Sequence, residues 1–403
     1  MFHGYMAING TEIINSARTK AYADAHLPGI SVKCAHPALR VALSHNPYTS
    51  PQTDAAPWYN ALRPSSSRFY GFVPVKIEGA EDSTQKVESQ ELLRDGAVHV
   101  SPRYEARDIR VIVVGLAEDD EALADGFEWL KDVLENAGCR DGFDCVGREV
   151  NMFHAAPANT ADAFSLHRTF YGVAVQSGPK VTKVLPSKVG AMKQYEFILS
   201  AGVPWAFTRL NGVATLAMNS ASNYTDPVDE DCSVDTEAED NFINDPFFTA
   251  ITPAPQPPNI LPPNIIELSS WRRLTAPIGG AFSTRPGRVT PVVTVLSGAA
   301  PAQFIRLRFY PSAAGVSGCD YVGEYLISYI PANSLMTIDA IRKEVHVTLP
   351  DGRRLPGGHL LYGSAGRPFM WPDMSCKETY TMTADMFPGQ TGIVVDLEVA
   401  VRE

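Results

Sequence analysis

The chain has 403 residues with 34 Lys and Arg against 45 Asp and Glu, a net charge of −11 that excludes a surface built chiefly to hold phosphate backbones. A chain of this length supports two or three domains, each with a core of its own. No apolar run approaches the roughly 18 residues of a membrane-spanning helix, and the opening MFHGYMAINGTEI has neither the basic nor the apolar region of a signal peptide, so no membrane insertion and no Sec export are expected.

Residues 1–115 carry short β-like runs broken by Pro, Gly, Asn and Ser: AINGTEIIN, GISVKCA, FYGFVPVKIEG, DGAVHVSP and RDIRVIVVGL. Between them, residues 46–67 are too rich in proline and small polar residues for a regular element and read as a long surface loop. RVIVVGLAEDDEALADGFEWLKDVL, residues 110–134, then runs a strand into a helix, as dinucleotide-binding units begin. That turn holds one glycine, Gly115, and sets Glu118, Asp119, Asp120 and Glu121 where a phosphate would sit. Carboxylates there cap the helix dipole and repel a second anion, so the nucleotide reading is set aside. The spacing of Leu123, Phe127, Leu130, Leu134 and Ala137 predicts a helix over 119–137 that covers a sheet, with Gly138 as its stop.

Two further strands are predicted in RTFYGVAVQSG and MKQYEFILSAGVPWAF. In the second, Tyr195, Phe197 and Leu199 alternate with Gln194, Glu196, Ile198 and Ser200, the pattern of a half-buried strand. Residues 226–263 change character: DPVDEDCSVDTEAEDNFIND lacks any basic residue, and PAPQPPNILPPN has the composition of a stiff linker. From 264 onward short strands and turns return, predicting a β-sandwich. The expected organisation is therefore a first domain over 1–225, a linker over 226–263 and a second domain over 264–403.

Chemistry is sparse along this chain. Six cysteines (Cys34, Cys139, Cys145, Cys232, Cys319, Cys376) make no disulfide scaffold in 403 residues, and Cys139 and Cys145 lack the second ligand pair that zinc needs. Whether Cys139 with Cys145, or Cys319 with Cys376, is bridged stays open. There is no GxSxG, HExxH, Walker A or SxxK, and the nine histidines stand singly. Asp229, Asp231, Asp235 and Glu237 are of calcium-ligand type but lack EF-hand spacing, and a solvated linker explains them better. Trp271, Trp371 and Tyr362 are the candidates for stacking on sugar rings, although tryptophans in a sandwich more often belong to its core. No enzyme, no metal and no cofactor are expected.

The order of elements carries a family resemblance. The opening Asn9, Gly10, Glu12, Ile13, Asn15 and Arg18 pattern, the arginine-led strand RDIRVIVVGL, the acidic-capped helix with its GFEWL core, RTFYGVAVQSGPKV and YEFILSAGVPWAF together resemble the N-terminal domain of siphophage distal tail proteins. RLRFYPS, EYLISYIPANSLMTIDAIRKEV, LLYGSAG and RPFMWPDMSC resemble the C-terminal domain of minor tail proteins from phages of mycobacteria and their relatives. The resemblance implies a mainly β chain: a tail-tube-like β-sandwich with one flanking helix, then a β-sandwich of galectin-like or carbohydrate-module-like kind. It implies a structural subunit forming a ring, usually hexameric, at the junction of tail tube and tail tip. Its partners would be further copies of itself, the tail tube protein, tip, hub and other minor tail proteins and the tape measure protein, in a virion assembled in the host cytoplasm. A host-surface glycan-binding module is the alternative.

Overall fold

The computed structural model describes residues 1–82, 85–87, 89–91, 97–99, 103–135, 148–157, 166–220, 222–224, 271–279, 287–312, 321–363, 369, 371–386 and 389–402. The acidic and proline-rich stretch 226–263, Cys139, Cys145, Cys232, Cys319, Ala137 and Gly138 lie outside them. The chain is mainly β and packs into two units, Met1–Arg209 with Arg402–Glu403, and Leu210–Val401.

The first unit contains strands β1 (Phe2–Ile8), β2 (Thr11–Asn15), β3 (Phe69–Glu78), β4 (Gln85–Lys86), β5 (Ser89–Glu91), β6 (Ala97–His99), β7 (Arg103–Tyr104), β8 (Arg107–Ala117), β9 (Arg148–Phe153), β10 (His167–Leu185) and β11 (Ala191–Ala201). Seven of them close a barrel in the order β1-β2-β3-β8-β11-β10-β9. The expected sandwich is thus corrected to a barrel: β9 pairs with both β1 and β10, and this joins the two ends of what would otherwise be an open sheet. Closure also removes most strand edges.

Helix α1 (Ser16–His26), the short α2 (Leu39–Ala42) and α3 (Asp120–Glu135) accompany the barrel, where one helix was expected. Along α3, Ala122, Leu123, Gly126, Leu130 and Leu134 are buried. Phe127 is only half-buried and stacks on Tyr195, ring centres 4.7 Å apart. At Gly126 a β-carbon would lie 2.5 Å from the ring of Phe69, so the missing side chain is what lets the helix sit on that ring. The core beneath combines Phe69, Phe72, Val111, Val113, Tyr195, Phe197 and Leu199. Residues 46–67 are not a simple surface loop. Trp58 is buried in this core, its indole N–H donating to the Phe69 carbonyl at 2.8 Å, and Tyr22 of α1 donates to Asp54 at 2.8 Å.

The second unit contains β12 (Asn211–Ala217), β13 (Ser222–Tyr224), β14 (Trp271–Ile278), β15 (Arg288–Leu296), β16 (Ala302–Pro311), β17 (Gly323–Ile330), β18 (Leu335–Asp339), β19 (Glu344–Thr348), β20 (Arg354–Pro356), β21 (Leu361–Tyr362), β22 (Met374–Ser375), β23 (Tyr380–Met386) and most of β24 (Val394–Arg402). One sheet runs β12-β24-β15-β18-β19-β20, with β22 also on β15, and the other β13-β14-β23-β16-β17-β21. Val293 and Val295 of the first sheet and Leu307, Phe309 and Met382 of the second share one buried cluster. The second unit runs from Leu210, with β12 paired along β24 and β13 along β14.

Candidate assembly surface

The residues that carried the resemblance fold into one polar cluster at the start of the barrel. Asn9 and Gly10, at φ of 48° and 79°, make the tight turn between β1 and β2 that left-handed backbone allows. Asn9 holds β9 through both backbone and side chain, exchanging hydrogen bonds with the Glu149 carbonyl and amide at 2.9 Å each. Asn15 caps α1, accepting from the Arg18 amide at 3.1 Å, and donates through Nδ2 to Glu12 and to the Tyr48 hydroxyl. Arg18 closes the group, its guanidinium 2.9 Å from Glu12 and 4.9 Å above the Tyr48 ring. The carboxylate is neutralised and fully engaged, so the cluster fastens hairpin, helix and 46–67 segment together rather than offering a free acid or base.

The strand-to-helix turn is equally occupied. Asp119 accepts from the Ala122 amide at 2.9 Å as a helix cap, and Arg68 binds Asp119 and Glu121. Tyr70 donates to Glu118 at 3.3 Å, and burial followed by that carboxylate pushes its hydroxyl up to about 12. Strand β8, which leads into the helix, is paired antiparallel to both of its neighbours, β3 and β11, so the β8–α3 turn is not the opening of a parallel dinucleotide-binding crossover.

Across the outer face of four adjacent strands runs a charge ladder that sequence reasoning missed. Lys76 and Glu78 of β3, Arg110 of β8, Glu196 of β11 and Lys180 of β10 alternate in sign, with Arg110 3.1 Å and Lys180 3.3 Å from Glu196. The Arg110 hydrogen bond, aided by Lys180, holds the Glu196 carboxyl below the usual carboxylate range. The opposite signs at these positions were present in the sequence, but only the register of β3, β8, β11 and β10 sets them side by side.

Two strand edges have no further strand beside them among the described residues. β9 accompanies β10 only as far as Val173, so from Ala174 to Leu185 strand β10 has β11 on one side and, among the described residues, no strand on the other. Val181 and Val184 there are 47% and 65% exposed. The second is the ribbon between β3 and β8. It pairs Gln85 with Tyr104, Lys86 with Arg103 and Ser89–Glu91 with His99–Ala97, and no third strand joins it among the described residues.

In the second unit, Tyr362 lies on the edge strand β21 and is 42% exposed. Trp371 is half-buried, edge-on to Phe369 and Tyr325, with the Lys343 ammonium 4.9 Å over its ring. Trp271 opens β14 opposite Tyr224. Strands β14 and β21 are separated by β23, β16 and β17, on the order of 19 Å at ordinary strand spacing. Nearer β14 the sheet carries a buried ion cluster, Asp385 accepting from Arg273 at 2.5 and 2.8 Å and from Arg306 at 3.2 Å. Among the described residues no group of three His, Cys, Asp or Glu could hold a metal ion, and no helix is long and apolar enough to cross a membrane.

The sequence matches no protein-family model and no curated protein sequence. The chain is similar to several solved structures at low identity. One is the SPP1 Dit (gp 19.1) protein, described as a paradigm of the hub adsorption apparatus in phages infecting Gram-positive bacteria. It is 9% identical at a TM-score of 0.41, over 84% of this chain and 95% of that one. The phage P2 baseplate in its activated conformation aligns with calcium at 7% identity and a TM-score of 0.40, covering 82% of this chain and 91% of that one. Its strontium form aligns at 7% and 0.39, covering 82% and 90%. At TM-scores below 0.5 this similarity carries no functional conclusion.

Proposed function

We propose that the chain is a structural, non-enzymatic subunit of a siphophage tail, a distal tail protein whose first unit forms a homo-oligomeric ring, hexameric by family resemblance, where the tail tube meets the tip. The observation that supports this reading is a pair of strand edges joined by no further strand among the described residues, β10 beyond Val173 and the 85–104 ribbon. Unpaired backbone donors and acceptors favour completion by a neighbouring strand, and heterologous contacts of that kind close into rings. The Asn9, Glu12, Asn15 and Arg18 pattern supports it further, since those residues fix the hairpin and helix on which the barrel is built. The tail tube protein, tip, hub and other minor tail proteins and the tape measure protein are the proposed neighbours, and the virion tail tip the proposed location.

The second unit, whose two sheets share one core, is read as a sandwich. Exposure of Tyr362 keeps a glycan-binding role for it as the second reading. Mass measurement of the full chain in solution, with particle images, tests the proposal: rings, alone or on adding tail-tube or tip partners, support it. A chain that stays monomeric with those partners present while binding host glycan would replace it with the second reading.

A further inference from the structure

Between the 57–66 segment and the later turns of α3 lies a cleft of about 870 Å³. Trp58, Tyr59 and Trp129 give it apolar surface, the two indoles edge-on with centres 5.8 Å apart. Asp125, Glu128, Asp132 and Glu135 line it as well, spaced three and four residues apart and so on one stripe of the helix. Two cations stand against these four carboxylates. Arg63 lies 3.4 Å from Glu128 and 4.0 Å from Asp125, and the Lys131 ammonium lies 4.5 Å over the Phe127 ring. The cleft therefore keeps an excess of negative charge beside half-buried Tyr59 and Trp129, which suits a cationic side chain through carboxylate pairing and contact with the rings.

The hairpin of β10 and β11 has the opposite character. From Gln176 to Lys193 the sequence contains Lys180, Lys183, Lys188 and Lys193 and no acidic residue. Lys180 is held by Glu196 and Lys193 by Asp120, whereas Lys183 and Lys188 are exposed and have no ion pair among the described residues. Val181, Val184 and Val189 are exposed beside them. The tip is already ordered: Ser187 donates to the Val189 carbonyl at 2.6 Å and accepts from its amide at 3.1 Å, and a β-carbon at Gly190 would lie 2.6 Å from the Ala117 carbonyl oxygen. Little freedom is then lost on docking. Lys193, 3.1 Å from Asp120, ties the hairpin to the start of α3, and Asp132 lies about 18 Å farther along that helix. Hairpin and cleft are thus different surfaces of one copy, as a head-to-tail contact requires.

We propose that the 180–193 hairpin of one copy docks in the α3 cleft of the next, Lys183 and Lys188 meeting the carboxylates and the exposed valines meeting Tyr59 and Trp129. This rests on the ring reading and names one contact of that ring. Every copy supplies one hairpin and one cleft, so the contacts close without a leftover surface.

Three full-length variants test it. Lys183→Glu with Lys188→Glu reverses the hairpin, and Glu128→Lys with Glu135→Lys reverses the cleft; all four residues are exposed, so circular dichroism should show the parent fold. Each pair alone sets like charges against each other and is expected to raise the concentration at which rings dissociate about tenfold or more, by light scattering and native mass spectrometry. The chain carrying all four changes regains opposite signs at every contact and should form rings at the parent concentration. Neutral Lys183→Gln with Lys188→Gln should give a smaller rise, so the contact is still read if a reversal misfolds. Parent rings that neither pair weakens, or weakened rings that the fourfold variant does not restore, overturn the hairpin-to-cleft contact and leave the ring reading standing. Soluble host glycan that binds the parent and is lost on Glu128→Lys with Glu135→Lys, with ring dissociation unchanged, makes the cleft a sugar site and also overturns the contact. A parent chain that forms no ring even with tail-tube or tip partners overturns both.

Discussion

Arg18 Nη2 and Glu12 Oε2 lie 2.9 Å apart with both side chains about nine-tenths withdrawn from water, and the Nε and Nη1 of that guanidinium have no hydrogen-bond partner among the described residues. Removing one partner of such a pair strands a buried charge, and that costs more than the pair itself contributes. Glu12→Gln should therefore destabilise the first unit by about 3–5 kcal/mol. Glu12→Gln combined with Arg18→Met should lose clearly less, since no charge is then left behind. Denaturant unfolding followed through Trp58 and Trp129 fluorescence separates the cases, and equal losses in the two variants would mean that the charge of Arg18 is not what Glu12 serves.

The seat of α3 on the barrel gives a second test. Gly126→Ala would ordinarily favour a helix by about 1 kcal/mol, but its methyl would enter the Phe69 ring. Overpacking of that kind costs about 1–3 kcal/mol, so the net effect should be destabilising. Phe127→Asp, one position on, replaces a half-buried ring stacked on Tyr195 with a charge and should destabilise as well. A more stable Gly126→Ala variant would show that the helix can lift from Phe69 without loss.

Acid should weaken the first unit in two steps. His167 is held below its ordinary range by burial, then by Arg209 and Arg168, so its contribution is complete above about 6.5 and is lost as pH falls. Glu196 is held below its ordinary range by Arg110 and Lys180, and its contribution is lost only below about 4.3. Because His3 and Glu78 are held low in the same two windows, His167→Gln should lessen the loss between pH 7 and 5 and leave the lower step in place, whereas Glu196→Gln should shrink the lower step and leave the upper one. Thermal melts at half-unit pH intervals read both.

How far the sequence discloses this fold depends on the range of the signal. Tyr195, Phe197 and Leu199 alternate locally and are buried in the barrel, and the apolar repeat of α3 marks its inner face. Helix α1 escapes the same reading because its buried residues are Ser16, Arg18, Thr19, Tyr22 and Ala23, mostly polar, so no apolar stripe betrays it. Barrel closure escapes too: it depends on β9 meeting β1 and β10, pairings set by tertiary packing rather than by any local pattern. Of the candidate surface, the run of lysines after Gln176 is legible, but that the described part of β9 accompanies β10 only as far as Val173 is visible only in the structure.

The boundary between units is the point on which composition and packing differ most, and it yields the last prediction. The acidic, proline-rich composition of 226–263 marks a linker, yet β12 and β13 precede it and belong to the sheets that follow it. β12 covers the edge of β24 through pairs from Asn211 with Val399 to Ala217 with Val394, and β13 covers that of β14. A fragment of residues 264–403 would bare both edges, one on each sheet, and lose Met218 from the core. Residues 210–401 expressed as one piece should melt cooperatively and remain soluble, whereas 264–403 should aggregate or melt at lower temperature. Proteolytic cleavage within 226–263 should likewise leave the two products bound to each other under native conditions, because β12 stays paired with β24 after the cut. Separation of the nicked halves on a sizing column without denaturant, or equal melting of the two fragments, would show that the strands before the linker do not hold the second unit together.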